Sequence, residues 1–392
     1  MHLFLAAKLA WSNTTADMQR LFVRCSGVTF AVVLMFMQTG FRNALFDSNV
    51  RIMEEKITAD IVIRTKSRFM LSSGQQMPLQ NVITARSCDG VAAAQPVYIE
   101  NVLSDFHRAG MAARKIRVIG FDPSNPFFEN FGLKPLSDEL NQPMTAAADV
   151  KSKSMFGLPV NQQELADQPF AELANKELEL VGLFQCGINF SNDGTLAMTP
   201  QNFAEYFSVR GGGKPLSQVD YGVVRCQSNA NPAIVASRLQ KLLGPHVIVE
   251  TRTKFLESER NFWGKNTPIG LIFWVGTLIG FVVGLIICYQ VLATDIGDHM
   301  GEFATLKAMG YPTSFFTSVV VVQALLLSLV SFVPGFLIAL TAFSLVNVSS
   351  GLVMFLNVPR TAVVLGLTVA MCVISGIIAL RKLLLADPAS LF

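Results

Sequence analysis

Long stretches without a single charged residue constrain this chain more than any other feature of its sequence. Residues 268–292, 313–359 and 361–380 contain no Asp, Glu, Lys or Arg and are mostly apolar. A fourth apolar stretch lies near the N-terminus, at residues 21–41. About 20 consecutive apolar residues are enough for a helix to cross the hydrocarbon core of a bilayer. The pattern therefore predicts four membrane-spanning helices.

The N-terminal stretch has two interpretations. Lys8 and Arg20 precede it and Arg24 lies at its start, as basic residues do in a secretory signal. However, the twenty residues before the apolar stretch are long for the basic N-terminal region of a signal, and no cleavage site of small residues follows the stretch. We therefore interpret the stretch as an uncleaved membrane anchor.

Residues 45–266 have the composition of an ordinary globular protein, long enough for one large domain or two small ones. Asn231 as N-cap, Pro232 and Gly244 mark the start and end of a helix. Apolar alternation predicts strands at 60–65, 115–121, 177–184, 221–226 and 246–250. We predict a membrane α-helical protein with four transmembrane helices, whose large α+β extracytoplasmic domain is inserted between helices 1 and 2.

The predicted boundaries follow from these patterns. In chain order they are an interfacial helix at 1–20, transmembrane helix 1 at 21–44, the α+β domain at 45–266, transmembrane helix 2 at 267–292, a connecting helix at 293–312, transmembrane helix 3 at 313–346, a short loop at 347–360, transmembrane helix 4 at 361–380 and a tail at 381–392. Transmembrane helix 3 would be about 51 Å long, which exceeds the thickness of a bilayer core of about 30 Å. Either this helix is tilted and kinked at Pro334–Gly335, or the chain re-enters the membrane there.

Two charged segments, 50–57 and 251–266, flank the α+β domain and have helical spacing. They predict a helical stalk that continues transmembrane helices 1 and 2 outward. Trp263 is expected in the aromatic belt at the outer membrane interface.

The distribution of basic residues predicts the orientation, because short basic loops stay in the cytoplasm. With four crossings, both termini and the 293–312 segment share one side. Opposite them, the loop at 347–360 has Arg360 as its single basic residue. The basic residues of the first side are Lys8, Arg20, Arg24, Lys307, Arg381 and Lys382. We therefore expect cytoplasmic termini and an exported large domain.

Several function classes are disfavoured. The last three spans hold no charged residue, which argues against an ion-driven transporter. The string nearest to a nucleotide-binding loop, RGGGKPLS at 210–217, lacks the required spacing, so any ATP energy must come from another chain. We expect no catalytic residue and no metal site, because His107 and His246 are isolated in the sequence. The exported cysteines, Cys88, Cys186 and Cys226, have no CxxC spacing and allow at most one disulfide.

Three glycines recur every four residues in the second span, at Gly276, Gly280 and Gly284. Such a ridge of small residues lets two helices approach closely. Two alternatives stay open: packing inside one chain, or a contact between two copies of the chain.

The segment at 293–312 lies between two membrane spans and is charged, with apolar residues at helical spacing. Its acidic residues come early, ending with Glu302, and Lys307 comes late, which suits the dipole of a helix. Gly310 and Pro312 mark its end. Apolar residues recur every three or four positions, at Ile296, Met300, Phe303, Leu306 and Met309. We predict a short amphipathic helix on the cytoplasmic face; the alternative is a solvated connector whose apolar side rests on the headgroups.

The sequence Glu302 to Pro312 resembles the "E-I-G-[ILV]-x-[KR]-A-[LMI]-G" segment of FtsX/MacB-type ABC permeases. The order of spans, the run IRVIGFDPSNPFF at 116–128 and the closing LLLADPASLF resemble the same family. Residues 289–311 are most similar to permeases of heterocyst-type (DevC-like) exporters. The resemblance covers the membrane half throughout and the exported half in patches. One departure is Gly301, which stands where the family usually has Arg.

The resemblance implies a permease subunit of an exporter in the cell inner membrane, with a porter-like periplasmic domain and an insertion at about 125–215. It implies a homodimer that acts with a separate cytoplasmic ABC ATPase, which uses ATP and Mg; the permease itself binds no cofactor. It further implies a periplasmic adaptor (a membrane fusion protein) and a TolC-like outer-membrane channel as partners, and no nucleic acid. The ATPase-coupling residues would be Ile296, Met300, Glu302, Phe303, Leu306, Lys307, Met309 and Gly310. Signalling to a periplasmic cell-wall hydrolase and release of lipoproteins are the alternatives within the family.

Overall fold

The computed structural model describes residues 18–68, 70–189, 191–350 and 354–384. Most of the predicted interfacial helix at 1–20, and the closing motif with Asp387-Pro388, lie outside the described residues. Two compact units can be distinguished: a membrane unit that contains the long apolar helices, and an extracytoplasmic unit at residues 45–267.

Twelve α-helices, numbered in chain order, are present in the described ranges. They are α1 Met18–Arg51, α2 Gln80–Ala85, α3 Ser137–Leu140, α4 Gln162–Asp167, α5 Pro200–Tyr206, α6 Arg210–Gly213, α7 Pro232–Leu243, α8 Arg252–Lys265, α9 Pro268–Asp298, α10 Met300–Ala308, α11 Thr313–Ser350 and α12 Val358–Leu384. A π-helical turn, Ile52–Lys56, follows α1 directly. Short 3₁₀ turns lie at Pro126–Phe131, Lys134–Leu136, Ser154–Phe156 and Pro215–Ser217.

Among the described helices, four are long and apolar enough to cross a membrane, as predicted: α1, α9, α11 and α12. The third is one continuous helix from Thr313 to Ser350 with Pro334 inside it. Of the two alternatives for this stretch, the structure therefore shows a single long helix and no re-entrant loop in residues 313–350.

The membrane unit is held together by close packing and by polar side chains that bond to backbone carbonyls. Gly335 lets α11 approach α1, because a Cβ at this position would lie 2.9 Å from Val32 Cβ and 3.3 Å from the backbone oxygen of Thr29. The Thr29 hydroxyl donates to the carbonyl of Ser331 at 3.1 Å. Within an apolar layer such hydroxyls need a partner inside the protein, and these contacts provide it.

In its described residues, the extracytoplasmic unit is built on one eleven-stranded sheet and a separate two-stranded ladder. The strands are β1 Ile61–Thr65, β2 Met77–Pro78, β3 Val91–Glu100, β4 Asp105–His107, β5 Arg114–Lys115, β6 Arg117–Gly120, β7 Thr145–Asp149, β8 Phe170–Leu173, β9 Lys176–Phe184, β10 Thr195–Met198, β11 Gln218–Val219, β12 Tyr221–Cys226 and β13 Val247–Thr251. The five predicted strands are all present, and so is the predicted helix, α7. Asn231 caps α7 by accepting from the Ala233 amide at 2.9 Å.

The order of strands in the large sheet is β13-β1-β12-β3-β6-β10-β7-β9-β8-β4-β5. The long strand β3 joins its two halves, because its first part pairs with β12 and its last three residues pair with β6. The second half contains β4 to β10, which begin at Asp105. The predicted insertion at 125–215 therefore does not form a unit of its own: its strands continue the sheet, and strands before residue 125 belong to the same half.

Both faces of the sheet are covered by apolar residues. In β1, Ile61 and Ile63 contribute to the core that contains Val235 and Leu239 of α7. Between them, Val62 points to the opposite face, whose core contains the phenylalanines of the 126–131 turn. Alternate residues of a strand point to opposite faces, so a strand that is apolar at successive positions fits a sheet buried on both sides.

A buried network of charged residues lies inside this unit. The carboxylate of Asp220 accepts from Arg68 Nη1 at 2.7 Å, from Arg210 and from the backbone amide of Ile99 at 2.8 Å. Arg68 also donates to the hydroxyl of Tyr221 at 2.7 Å. Buried charges are tolerated when they are paired and fully hydrogen-bonded. Asp220 is therefore the centre that neutralises two buried guanidinium groups.

We expect Asp220→Asn to destabilise the protein strongly, because it leaves two buried guanidinium groups with one negative charge fewer. The loss should be about 3–5 kcal/mol, or roughly 10 °C in the thermal unfolding of the extracytoplasmic unit. Asp89→Asn is the matched control, because the carboxylate of Asp89 pairs with Arg238 on the surface. This control should leave the unfolding temperature unchanged. Equal effects of the two substitutions would contradict the assignment.

Candidate functional site

The segment between α9 and α11 forms a short separate helix, α10. The predicted helix at 293–312 differs from it at the start, because α9 continues to Asp298 and residues 293–298 belong to that span. The break falls at His299, whose backbone is not helical, and whose Nδ1 lies 2.9 Å from the carbonyl oxygen of Asp295. Helical periodicity alone does not show such a break, since the apolar residues keep their spacing across it.

The end of α10 is a Schellman motif. Gly310 has a positive φ of 90°, its amide donates to the carbonyl of Lys307, and the amide of Tyr311 donates to the carbonyl of Leu306. Pro312 follows. The predicted stop at Gly310 is confirmed, and its reason is the left-handed backbone that glycine adopts without strain.

The apolar side of the segment packs against its own membrane unit. Ile296 and Phe303 are buried in the same core as Phe316, and Leu306 is half-buried against that core. The rings of Phe303 and Phe316 meet edge to face, with centroids 5.7 Å apart. An acidic residue at position 303 would be forced into an apolar core, so this position tests the fold of the segment and not its surface.

The other predicted coupling residues are more accessible. Glu302, Lys307 and Gly310 are exposed, Met300 is half-buried, and Met309 has 63% of its surface exposed although it is apolar. The eight residues thus divide into a buried or half-buried set, which fixes the segment to the membrane unit, and an exposed set made of Glu302 in the first turn of α10 and Lys307, Met309 and Gly310 at its C-terminal end.

The glycine ridge of α9 faces other helices of the same chain. A Cβ at Gly276 would lie 2.8 Å from Gln38 Oε1 in α1, and one at Gly284 would lie 3.0 Å from Ala31 Cβ. Gly280 is buried, with Met35 next to it. This geometry favours the first alternative for the ridge, packing inside one chain.

Two stalk segments are clamped together inside the extracytoplasmic unit. Arg260 of α8 contacts Asp47 at 3.1 Å and Glu54 at 2.7 Å. Arg252, at the start of α8, donates to the backbone carbonyls of Met53 and Glu54. The end of α1 and its π-helical turn are therefore tied to α8 at several points. The sequence showed only dense charge here; the pairs join positions about 200 residues apart, which periodicity cannot connect.

Glu259 ties α8 to the sheet side of the unit. One carboxylate oxygen accepts from the backbone amide of Leu71 at 2.8 Å and from the indole Nε1 of Trp263 at 3.2 Å. Burial raises the pKa of Glu259, and these two donors oppose the shift. Trp263 is itself buried within the unit. The prediction that it lies in an interfacial aromatic belt is wrong, because its ring packs inside the domain and its N–H is bonded to Glu259.

Other candidate groups were absent or isolated. Within residues 18–68, 70–189, 191–350 and 354–384, no three His, Cys, Asp or Glu side chains lie close enough to hold a metal ion. All six cysteines are free thiols, so the possible disulfide among Cys88, Cys186 and Cys226 is not formed. His107 contacts only Glu172 among charged groups in this part of the chain, at 3.7 Å and on the surface.

The packing of the glycine ridge gives a prediction. Gly284→Leu should destabilise the membrane unit by about 1–3 kcal/mol, because the new side chain collides with Ala31 and Met371. The measurement is thermal unfolding of the protein in detergent. Gly366→Leu in α12 is the matched control, since nothing lies within 4 Å of its Cβ position. An unaltered unfolding temperature in Gly284→Leu would show that the ridge does not pack as described.

One comparison with known protein families covers the part of the chain that contains α10. Residues 267–388 match the family described as FtsX-like permease C-terminal. This range includes α9, α10 and α11, and therefore the whole candidate segment. No curated protein matches the chain.

Two solved structures are similar to part of the chain. The periplasmic region of MacB from Actinobacillus actinomycetemcomitans has 13% sequence identity and a TM-score of 0.36, over 53% of this chain and 96% of that one. The extracellular domain of the noncanonic ABC-type transporter YknZ from Gram-positive bacteria has 9% identity and a TM-score of 0.33, over 49% of this chain and 98% of that one. Likenesses with TM-scores below 0.5 support no conclusion, so the assignment depends on the membrane part.

The resemblance to FtsX/MacB-type ABC permeases is confirmed by the family match, whereas the closer similarity to DevC-like exporters stays a prediction. Residues 267–388 are therefore an FtsX-like permease C-terminal domain.

Proposed function

We propose that this chain is the permease subunit of an ABC-type exporter, in which a separate cytoplasmic ATPase moves the extracytoplasmic unit through the membrane helices. The observation that carries the proposal is the construction of α10. Its apolar side is buried in the membrane unit through Phe303, and its exposed side presents charged residues. A helix held in this way passes a push to the bundle, whereas a solvated connector would bend.

The exposed residues of α10 would form the contact with the ATPase. Lys307 carries the only basic charge of the helix, since Gly301 occupies the position where Arg is usual in the family. Met309 adds an exposed apolar group next to it. Met309 would suit the apolar core of a protein interface, and Lys307 would suit its polar rim. Ile296 and Phe303 would act indirectly, by fixing the helix.

The outer end of the pathway would be the clamped stalk. Only residues 266 and 267 separate the end of α8 from the start of α9. Within the extracytoplasmic unit, Arg252 and Arg260 bind α8 to the chain that follows α1. Movement of either stalk segment would therefore be shared by both.

The remaining parts of the proposal concern the assembly. The protein would lie in the cell inner membrane with both termini in the cytoplasm, and it would act as a homodimer. The exposure of α9 supports a homodimer: 17% of its most apolar stretch is buried within the chain, compared with 44% in each of the other three spans. The partner ATPase would use ATP and Mg, and a periplasmic adaptor with a TolC-like channel would complete the export path.

We expect Lys307→Glu and Met309→Asp to separate transport from ATP hydrolysis without unfolding the protein. Both side chains are exposed, so the unfolding temperature should stay unchanged. Reversal of a contact charge should weaken ATPase binding at least about tenfold. The measurement is the amount of ATPase that co-purifies, together with transport in vesicles.

Lys241→Glu serves as the matched control, because it makes the same charge reversal on an exposed residue of α7 in the extracytoplasmic unit. It should bind the ATPase normally. Normal binding and transport in both α10 variants would contradict the assignment of this surface.

Affinity purification in mild detergent tests the proposal as a whole. The expected result is co-elution of an ABC ATPase and an adaptor, with no ATP hydrolysis by the permease alone. Co-elution of a cell-wall hydrolase instead of an adaptor would support signalling over export. ATP turnover by the purified permease without any partner would overturn the proposal.

A further inference from the structure

The outer end of the membrane unit carries two arginines on different helices. Arg42 of α1 lies three residues before the extracytoplasmic unit begins, and Arg360 lies in the first turn of α12. Both are half-buried, and their positive charges are close enough to repel each other. Two like charges at the edge of an apolar layer are unfavourable unless an anion neutralises them. The pair therefore marks a place where a negative group would be stabilised.

Helix geometry places the two arginines at the same depth. Three helices, α1, α9 and α12, meet where a Cβ at Gly284 would lie 3.0 Å from Ala31 Cβ and 2.6 Å from Met371 Sδ. Arg42 follows Ala31 by eleven residues, and Arg360 precedes Met371 by eleven residues. At 1.5 Å per residue, both arginines lie about 16 Å from this contact. Because Gly284 is near the middle of α9, both lie near the outer boundary of a hydrocarbon core about 30 Å thick.

The segment just before α12 fixes the position of Arg360. The side chain of Asn347 in α11 donates to the carbonyl of Met354 at 3.0 Å and accepts from its amide at 2.6 Å. The side chain of Met354 packs on α1, where a Cβ at Gly40 would lie 2.6 Å from Met354 Cε. The guanidinium carbon of Arg360 lies 4.7 Å from the centre of the Phe355 ring. Arg360 is thus held beside the outer end of α1.

Two polar side chains of α1 lack a partner at this end. Within the described part of the chain, the guanidinium group of Arg42 has no acceptor and the carboxamide of Gln38 has no hydrogen bond. The two residues are four positions apart, so they lie on one face of α1 at depths that differ by about 6 Å. The carboxamide lies over α9, where a Cβ at Gly276 would be 2.8 Å from Gln38 Oε1. Polar groups next to an apolar layer need such partners.

We propose that Arg42 and Arg360 bind the phosphate group of an anionic glycerophospholipid of the outer leaflet, and that the carboxamide of Gln38 donates to one of its ester carbonyls. Guanidinium groups match phosphate oxygens with paired N–H donors, and basic pockets between membrane helices suit lipid headgroups. The ester carbonyls of a phospholipid lie deeper in the membrane than its phosphate, as Gln38 lies deeper than Arg42. A zwitterionic headgroup fits less well, because its ammonium group would face two guanidinium groups. The exposed Val363, one turn below Arg360, contacts an acyl chain.

Native mass spectrometry of the full-length protein in detergent tests this binding. The probes are dioleoylphosphatidylglycerol, which is anionic, and dioleoylphosphatidylcholine, which has the same chains and a zwitterionic headgroup. We expect one phosphatidylglycerol per chain, bound at least about tenfold more tightly than phosphatidylcholine. Inorganic phosphate at millimolar concentration should not displace it, because the acyl chains are part of the ligand. Arginines that only extend into any headgroup layer give equal binding of the two lipids, and this result overturns the proposal.

The double variant Arg42→Gln with Arg360→Gln should bind phosphatidylglycerol as weakly as phosphatidylcholine. Its unfolding temperature should not fall, since the change removes a repulsion. Arg381→Gln is the matched control, because it makes the same change on an exposed residue at the other end of α12. This control should keep the preference. Unaltered phosphatidylglycerol binding in the double variant overturns the proposal, and displacement by inorganic phosphate overturns the assignment to a lipid.

A diether phosphatidylglycerol, which lacks ester carbonyls, tests the role of Gln38. The parent should bind the diester lipid several-fold more tightly than the diether lipid, and Gln38→Leu should bind the two equally. Equal binding by the parent contradicts the role of Gln38. All of these measurements are made without an ATPase, so their outcome is independent of the exporter proposal.

Discussion

The apolar interior of the membrane is the constraint on which this structure depends. Inside it, every backbone polar group must bond within the chain, so the spans are helices and their polar side chains bond to nearby carbonyls. The hydroxyl of Thr29, which donates to the backbone carbonyl of Ser331, shows this directly. The stretches at 268–292, 313–359 and 361–380 contain no charged group for moving ions. In the function proposed above the helices would move as packed rods, and their close approach at Gly284 and Gly335 supports that proposal.

Rods transmit movement only if something holds them at both ends. At one end, α10 is fixed to the membrane unit by the ring of Phe303, and the Schellman motif at Gly310 ends the helix. At the other end, inside the extracytoplasmic unit, Arg260 and Glu259 bind α8 to the neighbouring stalk segment and to the sheet. Different interactions stabilise the two ends. The inner one relies on apolar burial, and the outer one on ion pairs of the partly exposed Arg260 and on hydrogen bonds of the buried Glu259.

The sequence predicted the elements that local patterns determine. The four spans, five of the thirteen described strands and the capped helix α7 follow from periodicity and from Asn231 and Gly244. What it missed depends on contacts between distant positions. Arg68 and Asp220 are 152 positions apart, and no local sequence pattern at either residue indicates a buried ion pair. Likewise, the spacing of Ile296, Phe303 and Met309 predicted an apolar stripe on a helix, but not the part of the protein against which that stripe packs. Only the packed structure shows that the first two are buried and the third is exposed. Trp263 was misplaced for the same reason, because a tryptophan next to a span suits an interface and a domain core equally well.

The central claim is that α10 faces the cytoplasm, where an ATPase can reach it. The most direct measurement uses Met309→Cys in a chain whose six native cysteines are replaced by serine or alanine. Intact cells are treated with a maleimide that cannot cross the membrane, before and after the membrane is opened. The account predicts labelling at position 309 only after the membrane is opened. Labelling in intact cells would place α10 outside and contradict the account.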